Sequence, residues 1–202
     1  MNTHVVDSIN GTPNWWYMAY YDGGWPENNN FRMDHYPYKD KMTIRIERSD
    51  SLRLDGVYAA FAEEIQRKKD NDGQVILPEV TITGKTFRLI FNDVLVVPHN
   101  LRSDTFQEDV ITAMDVIMSL ADQSKITYDL QWYDSIGTAG IVRSYWLERV
   151  NEDQASGKCG FVYETGTKHR GSYNHIHIPS DWRVINSPEY GKWFWIELGS
   201  CD

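Results

Sequence analysis

Three histidines stand close together near the C-terminal end of the chain, His169, His175 and His177. Side chains alternate along a strand, so the run SYNHIHI places His175 and His177 on one face. Two imidazoles on a shared face, with a third across a hairpin, are the outline of a divalent-metal site, which Asp181, Glu164 or His99 would complete. The same pair could work as acid and base on a phosphoester. The surrounding sequence completes no familiar pattern. There is no HExxH, no second HxT or HxS, and PSDW stands where a cupin-like site carries its glutamate. The plainer alternative is a half-exposed sheet face on which the histidines pack among aromatic rings.

Other chemistry is thinner. Cys159 with one of the histidines would be a thiol nucleophile and base, and pairs drawn from Asp129, Glu148 and Glu164 would suit glycoside hydrolysis, but nothing in the spacing selects among them. No GxSxG elbow, phosphate loop or kinase signature is present.

A second constellation is electrostatic. Asp104 reads as an N-cap with Gln107 as its capping-box partner, opening a helix from about Thr105 to Ala121. On a wheel of about 100° per residue, Asp104, Glu108, Asp115 and Asp122 fall within about 40° of one another, opposite Phe106, Val110, Ala113, Ile117 and Ala121. Ile111 and Met118 lie beside this acidic line. From Ser103 to Asp134 the acids are Asp104, Glu108, Asp109, Asp115, Asp122, Asp129 and Asp134, against Lys125 as the only lysine or arginine. Acids without basic partners on their own helix suit a docking surface for a basic protein, with Ile111 and Met118 adding apolar contact. If cations from elsewhere in the fold pair with the line, that reading weakens.

The elements that must position these groups are those of an α+β fold: a mainly antiparallel β-sheet with two amphipathic helices packed on it. Residues 1–41 are rich in turn formers and in large rings (Trp15, Trp16, Tyr17, Tyr20, Tyr21 and Trp25) and read as an irregular aromatic segment wrapped onto a single domain, 42–202. MTIRIE alternates as a strand. Leu54, Val57, Tyr58, Phe61 and Ile65 mark a helix that starts after Asp50 or Ser51, runs to about Lys69 and stops at Asn71-Asp72-Gly73. QVILPEVTIT holds Pro78, which argues for an edge strand or a bulge. Gly84-Lys85 and Asn92-Asp93 then read as turns into TFRLIF and VLVV, an antiparallel meander. ITYDLQWYD, IVRSYWLERV, CGFVYET, SYNHIHI and KWFWIEL complete a strand-rich C-terminal part.

The chain has 202 residues, 41% of them hydrophobic, and a formal charge of −9. That length suits one domain with a real core. Net acidity disfavours nucleic acid, and no apolar run reaches the ~18 residues of a membrane span. Cys159 and Cys201 are expected as reduced, half-buried thiols; a disulfide between them is the alternative in an oxidising compartment. With no signal peptide legible at the N-terminus, a cytoplasmic protein is expected. The functional expectation is a non-enzymatic acidic binding protein of the inhibitor or immunity type. It would dock a basic protein partner through Asp104, Glu108, Ile111, Asp115, Met118 and Asp122 and need no cofactor. The alternative is a metal-dependent hydrolase that holds a divalent metal on His169, His175 and His177.

Overall fold

Two turn residues at positive φ, Asn10 and Gly11, fold β1 (Ser8–Ile9) back onto β2 (Thr12–Pro13), as Asn-Gly does in two-residue hairpins. The computed structural model describes residues 2–20, 26–27, 31–135, 142–168 and 178–201. The chain continues into β3 (Trp15–Tyr20), which pairs antiparallel with β4 (Pro26–Glu27) on one side and β5 (Thr43–Arg48) on the other. Part of the aromatic N-terminal segment is therefore regular strand. Adjacent Trp16 and Tyr17 point to opposite faces and both are buried, which removes the alternation that marks a half-exposed strand. Tyr17 donates its hydroxyl to the Phe31 carbonyl at 2.9 Å, and Arg32 reaches Glu64 at 2.8 Å while lying over the Phe61 ring.

Helix α1 (Ser51–Asp70) begins where the Asp50 carboxylate accepts the Arg53 N–H at 3.0 Å. Leu54, Val57 and Phe61 are its buried stripe, and Arg67, Lys68 and Lys69 sit at its C-terminal end, where the helix dipole favours cations. Asp72 and Gly73 leave it through positive φ.

β6 (Val75–Thr83) and β7 (Arg88–Val96) form a hairpin, and no second turn follows. Asn92-Asp93, expected to turn the chain, lies inside β7. Asp93 takes φ +50° opposite Pro78, the one point where the ladder is interrupted. β6 is central in a four-stranded sheet ordered β11-β12-β6-β7, where β11 is Cys159–Gly166 and β12 is Tyr190–Glu197. Pro78 is tolerated because the parallel pairing with β12 begins only at Glu79, so the strand still has a free edge at the proline.

Helix α2 is Ala113–Asp122, much shorter than the expected span from Thr105. Its first N–H groups donate to carbonyls of a neighbouring loop, Ala113 to Arg183 at 2.8 Å and Met114 to Ser180 at 3.0 Å. A three-stranded antiparallel sheet follows, β8 (Tyr128–Tyr133), β9 (Ser144–Val150) and β10 (Asp153–Gln154), in the order β10-β9-β8. The architecture is thus α+β with mostly antiparallel sheets and two helices. Its core gathers Val57 and Phe61 from α1, Leu77, Val80 and Ile82 from β6, Met114, Ile117 and Leu120 from α2, and Trp193 from β12. Among the described residues, no helix is long and apolar enough to cross a membrane.

The cysteines depart from expectation. Cys159 at the head of β11 and Cys201 beyond the end of β12 form a disulfide, with Cα atoms 5.1 Å apart. Antiparallel pairing of β11 with β12, closed by the Lys158 N–H on the Ser200 carbonyl at 3.0 Å, brings together thiols 42 residues apart in sequence.

Candidate functional site

The acidic residues are presented by a loop, not by one long helix. Asn100 and Asp109 both adopt positive φ, at 53° and 65°, and a helix cannot run through such residues. Between them two successive turns close, Ser103 donating to the Asn100 carbonyl at 3.2 Å and Thr105 and Phe106 to the Arg102 carbonyl at 2.9 and 2.8 Å. Phe106 packs edge-on to Trp182. The helix starts instead at Thr112, whose N–H (2.6 Å) and hydroxyl (2.9 Å) both donate to the Asp115 carboxylate. This capping box was legible as Thr112-x-x-Asp115 directly before an apolar run. The expected Asp104–Gln107 cap does not form a helix start.

Asp115 is therefore buried, not displayed. Its other oxygen accepts the His99 backbone N–H at 2.8 Å and faces His99 Nδ1 at 2.9 Å. His99 Nε2 meets Asp122 at 2.8 Å. The seven-residue spacing does set Asp115 and Asp122 on one line, and the His99 ring lies along it. Asp122 keeps 64% of its side chain exposed. Ile111 and Met118 are half-buried against the core, so neither supplies a free apolar rim.

Asp104 is gripped through both oxygens by Arg102, Nε at 2.8 Å and Nη2 at 2.9 Å. The third guanidinium nitrogen reaches the buried Asp181 at 2.9 Å. Arg102 is itself buried and lies over the Trp182 ring at 4.4 Å. Burial works against its charge, but the two aspartates outweigh burial and raise its pKa. The Arg102 hydrogen bonds hold the Asp104 carboxyl below its ordinary value, although Asp104 is 60% exposed. Burial pushes the Asp181 carboxyl up, against the pull of the Ser144 hydroxyl, the Tyr145 N–H and Arg102. Lys39, over the same Trp182 ring at 4.5 Å, is pushed down to about 8 by burial, with Asp181 opposing that shift. Glu108 and Asp109 are exposed on the turn that follows Asp104.

Groups from outside the line thus engage three of its four acids, the Arg102 cation with Asp104 and the His99 ring with Asp115 and Asp122; this lowers the free charge of the line, although Asp104 and Asp122 keep most of their side-chain surface exposed. The groups offered to complete a histidine metal site are engaged too: His99 and Asp181 as described, and Glu164 3.7 Å from the Lys192 ammonium. His169, His175 and His177 lie outside the described residues. Among the described residues there is no group of three or more His, Cys, Asp or Glu side chains placed to hold a metal ion.

No protein-family model matches the chain, and no curated protein matches it in sequence.

Proposed function

We propose that this chain is a non-enzymatic binding protein, of the inhibitor or immunity type, that docks a basic protein partner through the acidic loop 100–109 and the C-terminal end of α2. One observation supports this most: the Asp104 and Asp122 carboxylates are fixed from behind by Arg102 and His99 yet stay 60% and 64% exposed. Rigid, exposed acids lose little entropy on meeting a partner's lysines or arginines, which is what preorganised recognition requires. Glu108 and Asp109 extend the face without buried partners to satisfy. From His99 to Ser124 the chain carries Asp104, Glu108, Asp109, Asp115 and Asp122 against Arg102 alone among lysines and arginines. The resulting field attracts a basic protein and repels phosphate backbones. The Cys159–Cys201 disulfide supports placing the docking in an oxidising compartment, where such bonds persist, in place of the cytoplasm.

Glu108→Lys combined with Asp109→Asn, which keeps a residue suited to the left-handed backbone at 109, alters only exposed side chains and is expected to leave thermal stability nearly unchanged. With wild type and this variant as paired baits in an extract of the source cells, a basic protein is expected on the wild type and lost from the variant. Identical capture profiles from two equally folded baits would contradict the proposal.

A further inference from the structure

Among the described residues, β5 is an edge strand of its sheet. It pairs with β3 on one side, and all six of its residues, Thr43 to Arg48, are exposed. Natural edge strands are usually blunted by charged side chains, proline or a bulge, because their free N–H and C=O groups template another strand, and β5 carries Arg45, Glu47 and Arg48. Here the sequence is TIRIER, with Ile44 39% and Ile46 45% exposed. These two isoleucines lie opposite Ala19 and Tyr17, so they extend a buried face of the sheet beyond the body of the protein.

The backbone fixes which groups are free. Ser49 donates its N–H to the Asn14 carbonyl at 2.8 Å, continuing the β3–β5 ladder. Bonded pairs alternate along an antiparallel ladder, so Arg45 and Glu47 turn their backbone groups toward β3, while Ile44, Ile46 and Arg48 turn theirs outward. A second strand on that edge must bond to these three residues.

The side chains then select the occupant. If Ile46 meets Ile46 of a second copy in antiparallel pairing, Ile44 and Arg48 exchange bonds across the seam and every outward N–H and C=O of the three residues is used. In the same register Arg45 faces Glu47 of the copy, and Glu47 faces its Arg45. Shifting by two residues one way sets Arg45 against Arg45; shifting the other way sets Glu47 against Glu47, and like charges directly opposite are destabilising. Arg45 and Glu47 already share one face, 3.6 Å apart within the strand. Of these three registers, only the one with Ile46 opposite Ile46 is complementary in charge, and it uses the outward hydrogen-bonding groups of all three residues.

We propose that β5 pairs antiparallel with β5 of a second copy of this chain, in the register that places Ile46 on the two-fold axis.

Sedimentation equilibrium over a range of concentrations reads this directly. The wild type is expected to rise from the chain's 23.5 kDa to twice that mass. Arg45→Glu alone and Glu47→Arg alone each set like charges across the seam and are expected to weaken the dimer by about tenfold or more. The double exchange Arg45→Glu with Glu47→Arg restores opposite charges and is expected to restore the dimer. Ile46→Lys, at an exposed position that leaves the fold intact by circular dichroism, is expected to be monomeric. A wild type that stays at the single-chain mass at every concentration overturns the proposal. So does a dimer that both single charge variants leave unchanged.

Discussion

Arg102→Met is expected to destabilise the protein by about 3–5 kcal/mol, because it strands the Asp181 carboxylate in the interior. Asp181 has no exposed side-chain surface and accepts from Arg102, the Ser144 hydroxyl and the Tyr145 N–H. Removing the guanidinium leaves the two neutral donors facing a charge that burial already disfavours. For a chain of this length, the loss corresponds to a fall of about 6–20 °C in melting temperature. Its pH dependence has a definite sign. A carboxyl whose folded pKa lies above its unfolded value binds more protons folded than unfolded between those values, so folding gains as pH falls through the folded pKa. Taking Arg102 away raises the Asp181 pKa further, so the gap between wild type and Arg102→Met should narrow on acidification from neutral pH. Adding Asp181→Asn, which keeps the shape and removes the charge, should recover a large part of the loss at neutral pH. Thermal melts of the three proteins check this. An Arg102→Met variant that melts within about 2 °C of wild type would show that the pair carries little of the fold.

Reduction of Cys159–Cys201 is the second large effect. Chain-entropy reasoning for a bridge between residues 42 apart gives about 4 kcal/mol, toward the upper part of the range measured for native disulfides. The β11–β12 ladder already holds Cys159 opposite Glu197, and Lys158 bonds to Ser200 beyond it, so some closure survives without the bridge. The expected loss is therefore about 2–4 kcal/mol, or about 4–16 °C in melting temperature, with fraying at the C-terminal end of β12 first. Melts with and without reductant, and of Cys159→Ser/Cys201→Ser, should agree with one another. Free thiols in the unreduced protein, together with a reductant-insensitive melt, would contradict the bridge and favour the cytoplasm over an oxidising compartment.

Those two interactions mark where the sequence could be read and where it could not. Helix α1 was legible to within a residue or two, because Asp50, the Leu54–Val57–Phe61 spacing and Asn71-Asp72-Gly73 all agree on its limits. The spacing extends helix α2 backward through Thr105–Ile111 because a helical wheel registers side-chain spacing and is blind to left-handed backbone at Asp109. Thr112 and Asp115 carried the true start, but Asp115 had been counted on the outer acidic line. Asn92-Asp93 has turn chemistry and spends it on an irregularity opposite Pro78. The pairing of Cys159 with Cys201 and of Arg102 with Asp181 joins residues far apart in the chain, and no local pattern encodes such contacts. Of the acids singled out, Asp104 and Asp122 remain on the surface, Glu108 stands unaltered, and Asp115 belongs to the interior.

If the exposed acids Asp104, Glu108, Asp109 and Asp122 steer a basic partner, association must slow as salt screens them. This is tested most directly by the association rate constant with the protein captured on the wild-type bait, measured against salt. The wild type is expected to associate at least about tenfold more slowly at ~0.5 M than at ~20 mM NaCl, with a much shallower dependence for Glu108→Lys/Asp109→Asn. A rate that ignores salt, and is the same for both proteins, would contradict it.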